Sequence, residues 1–112
     1  MDKFKFAPAS LNEKTVFGAQ RPGYGSISVN REQMQAWIAH MRERGIRRVC
    51  CLLSQDQLGY YQEDLLRMYR CEFGEDKVCW APVQDFHLVQ SETLSETILP
   101  FLQESDEQGE TV

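Results

Sequence analysis

Apolar positions recur along this chain with two periods, and the switches between them mark the elements. Phe4 and Phe6 alternate with Lys3 and Lys5, which predicts a short strand over 3–7 that Pro8 ends. Thr15-Val16-Phe17 is a second β-like run, and Gly18, Pro22, Gly23 and Gly25 make the following stretch a loop. The period then becomes helical. Asn30 with Gln33 forms a capping-box pattern, and Met34, Trp37, Ile38 and Met41 follow on one face. Gly45 is the expected left-handed stop.

Residues 46–53 come next, with Val49-Cys50-Cys51-Leu52-Leu53 apolar at every position. That predicts a strand buried on both faces, as in a parallel sheet. Leu58, Tyr61, Leu65, Met68 and Tyr69 predict a second helix with Gly74 near its end. Residues 78–83 predict another buried strand. Ser91 can cap a third helix with Leu94, Ile98, Phe101 and Leu102 inward. Pro100 should kink or split that helix. Gly109 closes it, and Glu110-Thr111-Val112 begins another strand. The order implies a single α/β domain over 1–112, with a largely parallel sheet flanked by helices. In such sheets chemistry gathers at the carboxyl ends of the strands, here the loops at 54–57 and 84–91.

Composition narrows the function. Apolar residues are 42% and charged residues 26%, ordinary for a soluble globular chain. No apolar run reaches the roughly 18 residues that span a membrane, and the N-terminus lacks a signal-peptide stretch. The expected location is cytoplasmic, with no membrane partner. The net charge is −5, yet all 12 Lys and Arg lie in residues 1–77. A nucleic-acid partner is not expected, because only Arg42, Arg44, Arg47 and Arg48 cluster. Their simplest reading is a solvated helix end complementing the helix dipole. Trp37, Trp80 and the Tyr60-Tyr61 pair read as core or half-buried aromatics.

Four cysteines stand at 50, 51, 71 and 79. Their spacing suits neither a disulfide framework nor tetrahedral zinc, and it argues against a redox or metal role for Cys50-Cys51. They read as small buried apolar residues.

One stretch is more specific. Pro82-Val83-Gln84-Asp85-Phe86, at the end of a strand and before a capped helix, resembles the acid loop of dual-specificity and tyrosine phosphatases. Phe17-Gly18-Ala19-Gln20-Arg21-Pro22-Gly23 and Gly45-Ile46-Arg47-Arg48-Val49-Cys50-Cys51-Leu52-Leu53 are similar to the compact microbial-type members. The resemblance covers the chain from about Phe4 onward, and its strength lies in the order and spacing of the motifs. It implies a three-layer domain and a two-loop reaction without cofactor or metal. A cysteine thiolate in a His-Cys-x5-Arg loop attacks phosphorus. An aspartic acid protonates the leaving oxygen and then activates water. The implied substrate is a phosphorylated protein or a small phosphoester.

By resemblance Asp85 is that acid, although Asp also commonly caps or solvates a turn. None of the four cysteines is followed six residues later by Arg or preceded by His. Lys77, six residues after Cys71, cannot replace the guanidinium fork. Family spacing places the nucleophile a few residues beyond Val112. The expectation is therefore an incomplete phosphatase-like domain, marginally stable and inactive alone. His87 is a candidate to line the substrate cleft or tune Asp85, and Arg21 a candidate to meet an anionic substrate. An exposed loop histidine and a role-free surface arginine are the commoner cases. The alternative is a non-catalytic interaction or regulatory remnant of the same fold.

Overall fold

The computed structural model describes residues 3–10, 14–83 and 90–112. The chain forms β1 (Ala7–Pro8), β2 (Phe17–Gly18), α1 (Arg31–Glu43), β3 (Val49–Cys51), α2 (Gln55–Leu58), α3 (Leu65–Phe73) and β4 (Val78–Trp80). A final helical run comprises α4 (Ser91–Thr93), a π-helical turn (Leu94–Ile98) and α5 (Leu99–Glu107). The class is mixed α/β. β3 and β4 are parallel, and β1 and β2 form a separate antiparallel pair.

α1 starts where its capping box predicts. The Asn30 side chain accepts from the Gln33 N–H, and the Gln33 side chain accepts from the Asn30 N–H. It ends at Gly45 (φ 84°), with the Ile46 N–H on the Met41 carbonyl and the Gly45 N–H on the Arg42 carbonyl. That paired C-terminal bonding needs a left-handed residue, which glycine adopts at little cost. Met34, Trp37, Ile38 and Met41 are buried as their spacing predicts. They pack with Val49, Cys51, Leu65 and Tyr69 into the main core. Each such aliphatic side chain contributes about 1.5–3 kcal/mol by leaving water.

Several expectations are corrected. The strand expected over 3–7 is a 3-10 turn at Lys3–Lys5, followed by a two-residue strand. Phe4 and Lys5 take positive φ (63° and 51°). Aromatic docking overrides alternation here: Phe4 sits edge-on to His40 at 5.3 Å and Phe6 stacks on Phe17 at 5.0 Å. Pro8 belongs to the strand it was expected to end, opposite Phe17. Edge position makes a missing N–H tolerable.

The second helix is two. Ser54 caps α2 with Gln57, and Asp64 caps α3 by accepting from the Arg67 N–H. β3 spans three residues rather than 46–53, and β4 three rather than 78–83. The last helical run is split next to Pro100, as expected, with α5 beginning at Leu99. The π turn at Leu94–Ile98 absorbs the break, and Pro100 enters the first turn of α5, where its missing N–H costs little. Gln90, not Ser91, is its N-terminal flanking residue, with no side-chain cap.

Among the described residues the expected largely parallel sheet comes down to the β3–β4 pair, a parallel bridge between Val29 and Tyr61, and a link. Thr111 and Val112 lie between β2 and β3. The Val112 N–H donates to Thr15 (2.8 Å), and its carbonyl accepts from the Phe17 N–H (2.9 Å). The Thr111 carbonyl accepts from the Arg47 and Arg48 N–H groups (2.8 and 3.0 Å). Val112 thus bonds to the residues on either side of Val16, which is the parallel-ladder pattern, whereas the two bonds to Thr111 come from consecutive residues. Helices lie on both sides of the segment that contains β3. Val49 and Cys51 meet α1 and α3, while Arg48 turns the other way and lies over Phe101 of α5.

Candidate functional site

A cleft of about 670 Å³ lies between residues 16–21 on one side and 48–53 on the other. Leu94, Ile98 and Leu102 form part of its wall, and Val112 reaches into it. Gln57 and Val83 stand at the carboxyl ends of β3 and β4, where function was expected. The Ala81 N–H donates to Cys51 and the Val83 N–H to Leu52, both at 2.9 Å. Indole groups pin the surrounding loops. Trp37 Nε1 donates to the Gln20 carbonyl (2.8 Å) and Trp80 Nε1 to the Leu53 carbonyl (2.7 Å).

Asp85 and His87 lie outside the described residues. Arg21 is described and lines the cleft. Its guanidinium donates to the Ser26 carbonyl at 2.8 Å and, at 3.4 Å, to the Pro22 and Gly23 carbonyls and the Tyr61 hydroxyl. It also sits 5.2 Å from the Tyr60 ring centre and 5.9 Å from those of Tyr24 and Tyr61. Tyr61 in turn donates to the Pro22 carbonyl at 2.8 Å. Arg21 therefore fastens the Gly/Pro-rich loop to Tyr60 and Tyr61.

Arg48 was missed. It does not belong to a solvated helix end: Arg42, Arg44 and Arg47 are exposed, whereas Arg48 is 1% exposed. Its Nη2 donates weakly to the Asp76 carbonyl (3.4 Å) and lies 3.7 Å from Glu104 Oε2. Its Nε and Nη1 have no hydrogen-bond partner among the described residues. The ring of Phe101, 4.4 Å from the guanidinium carbon, offsets part of that loss. The signal was available, because a strand buried on both faces from residue 46 onward buries residue 48 as well.

Three of the four thiols are disarmed. Cys50 and Cys79 are opposed on neighbouring strands and hydrogen-bond each other. Burial first, then the neighbouring Cys79, pushes the Cys50 thiol up to about 12. Burial raises Cys51 to about 11 and raises Cys79 as well. A thiol so shifted stays protonated near neutrality and is a poor nucleophile. Cys50 and Cys79 are only half-buried, so the expectation of buried apolar cysteines holds fully for Cys51, while Cys71 is exposed. Ser54 Oγ is engaged in capping α2. Among the described residues no group of three or more His, Cys, Asp or Glu is placed to hold a metal ion. No helix among them is long and apolar enough to cross a membrane.

The described lining includes two cations, Arg21 and Arg48, and no carboxylate. What the fold and cleft define is a mixed α/β domain with a mainly apolar, cation-bearing cleft between β2 and β3. No protein-family model, no curated protein and no solved structure matches the chain.

Proposed function

We propose that this chain is the N-terminal part of a cysteine-dependent protein phosphatase. It would hydrolyse phosphotyrosine or phosphoserine/threonine esters in the cytoplasm through a phosphocysteine, with Asp85 as general acid and then base. The observation that carries this reading is the convergence of strand ends on one cleft. Val83, two residues before Asp85, bonds to Leu52 at the end of β3 and lines the cleft. Val112 pairs in parallel with the run from Thr15 to Phe17, and the Thr111 carbonyl accepts from Arg47 and Arg48 just before β3. A nucleophile loop following Val112 would thus approach the segment that carries Asp85. Among the described residues the lining offers two cations, Arg21 and Arg48, and no carboxylate, which suits an anionic phosphoester.

The test begins with the coding sequence after Val112. A His-Cys-x5-Arg run within about ten residues is expected, allowing for boundary error. A protein containing it should hydrolyse para-nitrophenyl phosphate, and Asp85→Asn should lower kcat by about 10²- to 10⁴-fold. The 112-residue chain alone should release no phosphate. Turnover by that chain, or an unaffected Asp85→Asn variant, sinks the assignment. The raised thiols favour a second reading, a non-catalytic interaction module. A stop codon after Val112 with a folded product would select it.

A further inference from the structure

We infer that Cys50 and Cys79 form a dithiol site that a small disulfide, oxidised glutathione being the test case, converts to a reversible disulfide bridge between β3 and β4. The inference does not rest on the phosphatase reading. It stands first on register. β3 and β4 are parallel, and Cys50 is the partner of Cys79. Partnered residues on neighbouring strands point to the same face, with backbones about 4.8 Å apart. That spacing lies within the range of about 4.4–6.8 Å that a disulfide spans between Cα atoms. The two side chains already hydrogen-bond each other. The remaining thiols are placed elsewhere. Cys51 points to the opposite face and is buried in the main core, and Cys71 is exposed on α3. Sequence spacing argues against a redox role for the adjacent pair Cys50-Cys51. The fold agrees, and it gives Cys50 a partner on the next strand instead.

The site has a direction. Burial raises both thiols, but Cys79 is held back by the S–H that Cys50 donates to it and by the Arg48 charge. Cys50 climbs to about 12. Cys79 therefore ionises first. Its thiolate attacks one sulfur of oxidised glutathione and breaks the S–S bond. One glutathione leaves as a thiolate and takes up the proton that Cys79 lost. Cys50 then gives up its own proton and attacks the Cys79 sulfur of the mixed disulfide, and the second glutathione leaves with that proton. Two protein thiols are oxidised, and one disulfide is reduced to two thiols. Both cysteines are only half-buried, so the reagent reaches them. The bridge is a labile one. The strand spacing falls at the short end of the disulfide range, and strained or accessible bridges are readily reduced. It closes the strand pair immediately before the bonds from Ala81 to Cys51 and from Val83 to Leu52.

The test incubates the reduced, folded chain with excess oxidised glutathione at pH 7 and pH 8, followed by alkylation and peptide mapping. The expected product is a Cys50–Cys79 link within one chain, which reduced glutathione reopens. Its rate should rise by about tenfold between the two pH values, because a thiol raised above 9.0 gains thiolate in that proportion. In Cys50→Ser the glutathione should stay on Cys79 as a stable mixed disulfide. Cys71→Ser should leave the link and its rate unchanged. In urea the links should scatter over all four cysteines. The inference is overturned by glutathione adducts on Cys50 and Cys79 without a link, by no reaction at either, or by a rate that ignores pH. A main link to Cys51 or Cys71, links only between chains, or the same single link in urea also overturn it. If Cys50→Ser does not fold, the peptide map of the unmutated chain decides. A missing nucleophile in the gene would remove the phosphatase reading and leave this inference standing.

Discussion

The two faces of β3 are finished to different degrees. On one, Val49 and Cys51 meet Met34, Trp37, Leu65 and Tyr69 in a continuous core. On the other, Arg48 Nε and Nη1 beneath Phe101 have no hydrogen-bond partner among the described residues, Cys50 is half-buried, and Leu102 borders the cleft. The same short strand thus supports a closed apolar layer and an unsatisfied polar one. The first face supplies stability. The second holds a buried cation beside the cleft.

The largest expected effect breaks the first face. Trp37→Ala should cost about 3–5 kcal/mol in urea unfolding, since it removes a buried ring and the hydrogen bond to Gln20. Leu102→Ala should cost less than about half of that, because Leu102 is a smaller side chain and only partly buried, whereas Trp37 is buried. Equal losses would mean that the two faces are packed alike. Arg48→Met sharpens the contrast from the other side. It removes a charge whose hydrogen bonds are incomplete and keeps the volume, so stability should stay level or rise by about 1 kcal/mol or more. A fall of about 3 kcal/mol would show that the Glu104 and Phe101 contacts outweigh burial.

The smallest effect is a pH dependence of the thiols between the faces. Burial raises Cys50 from 9.0 to about 12 and Cys51 from 9.0 to about 11. Between the unfolded and folded values the folded chain binds more protons, so stability is full below about pH 9 and falls as pH rises toward 12. Cys50→Ala should flatten part of that fall in unfolding curves at pH 8, 10 and 11. An unchanged slope would leave Cys50 without a share in it.

Local chemistry was the legible part. The Asn30–Gln33 box, the apolar face of α1 and the stop at Gly45 all act locally, so sequence spacing determines them. Ser54 and Asp64 carried the same kind of signal, but the apolar spacing from Leu58 to Tyr69 masked two short helices as one. Strand extents were overestimated because apolar residues such as Leu52 and Leu53 border a cleft rather than extend a ladder. The role of Arg21 depends on Tyr60 and Tyr61, distant in sequence, and no local pattern reveals it. Asp85 and His87 lie outside the described residues, so their assignment rests on the resemblance of the surrounding motif.

The bonds of Val112 to Thr15 and Phe17 also bear on the order of events during synthesis. The second strand meets its parallel neighbour only when the residues at 111–112 have left the ribosome. Until then the β1–β2 pair has no partner on its inner edge, while α1, β3, α3 and β4 can assemble from nearer contacts. Such long-range pairing slows folding, because the intervening chain must be ordered before the contact rewards it. The amino-terminal segment should therefore be the last to dock, and the one most exposed to proteases or chaperones while the chain is being made.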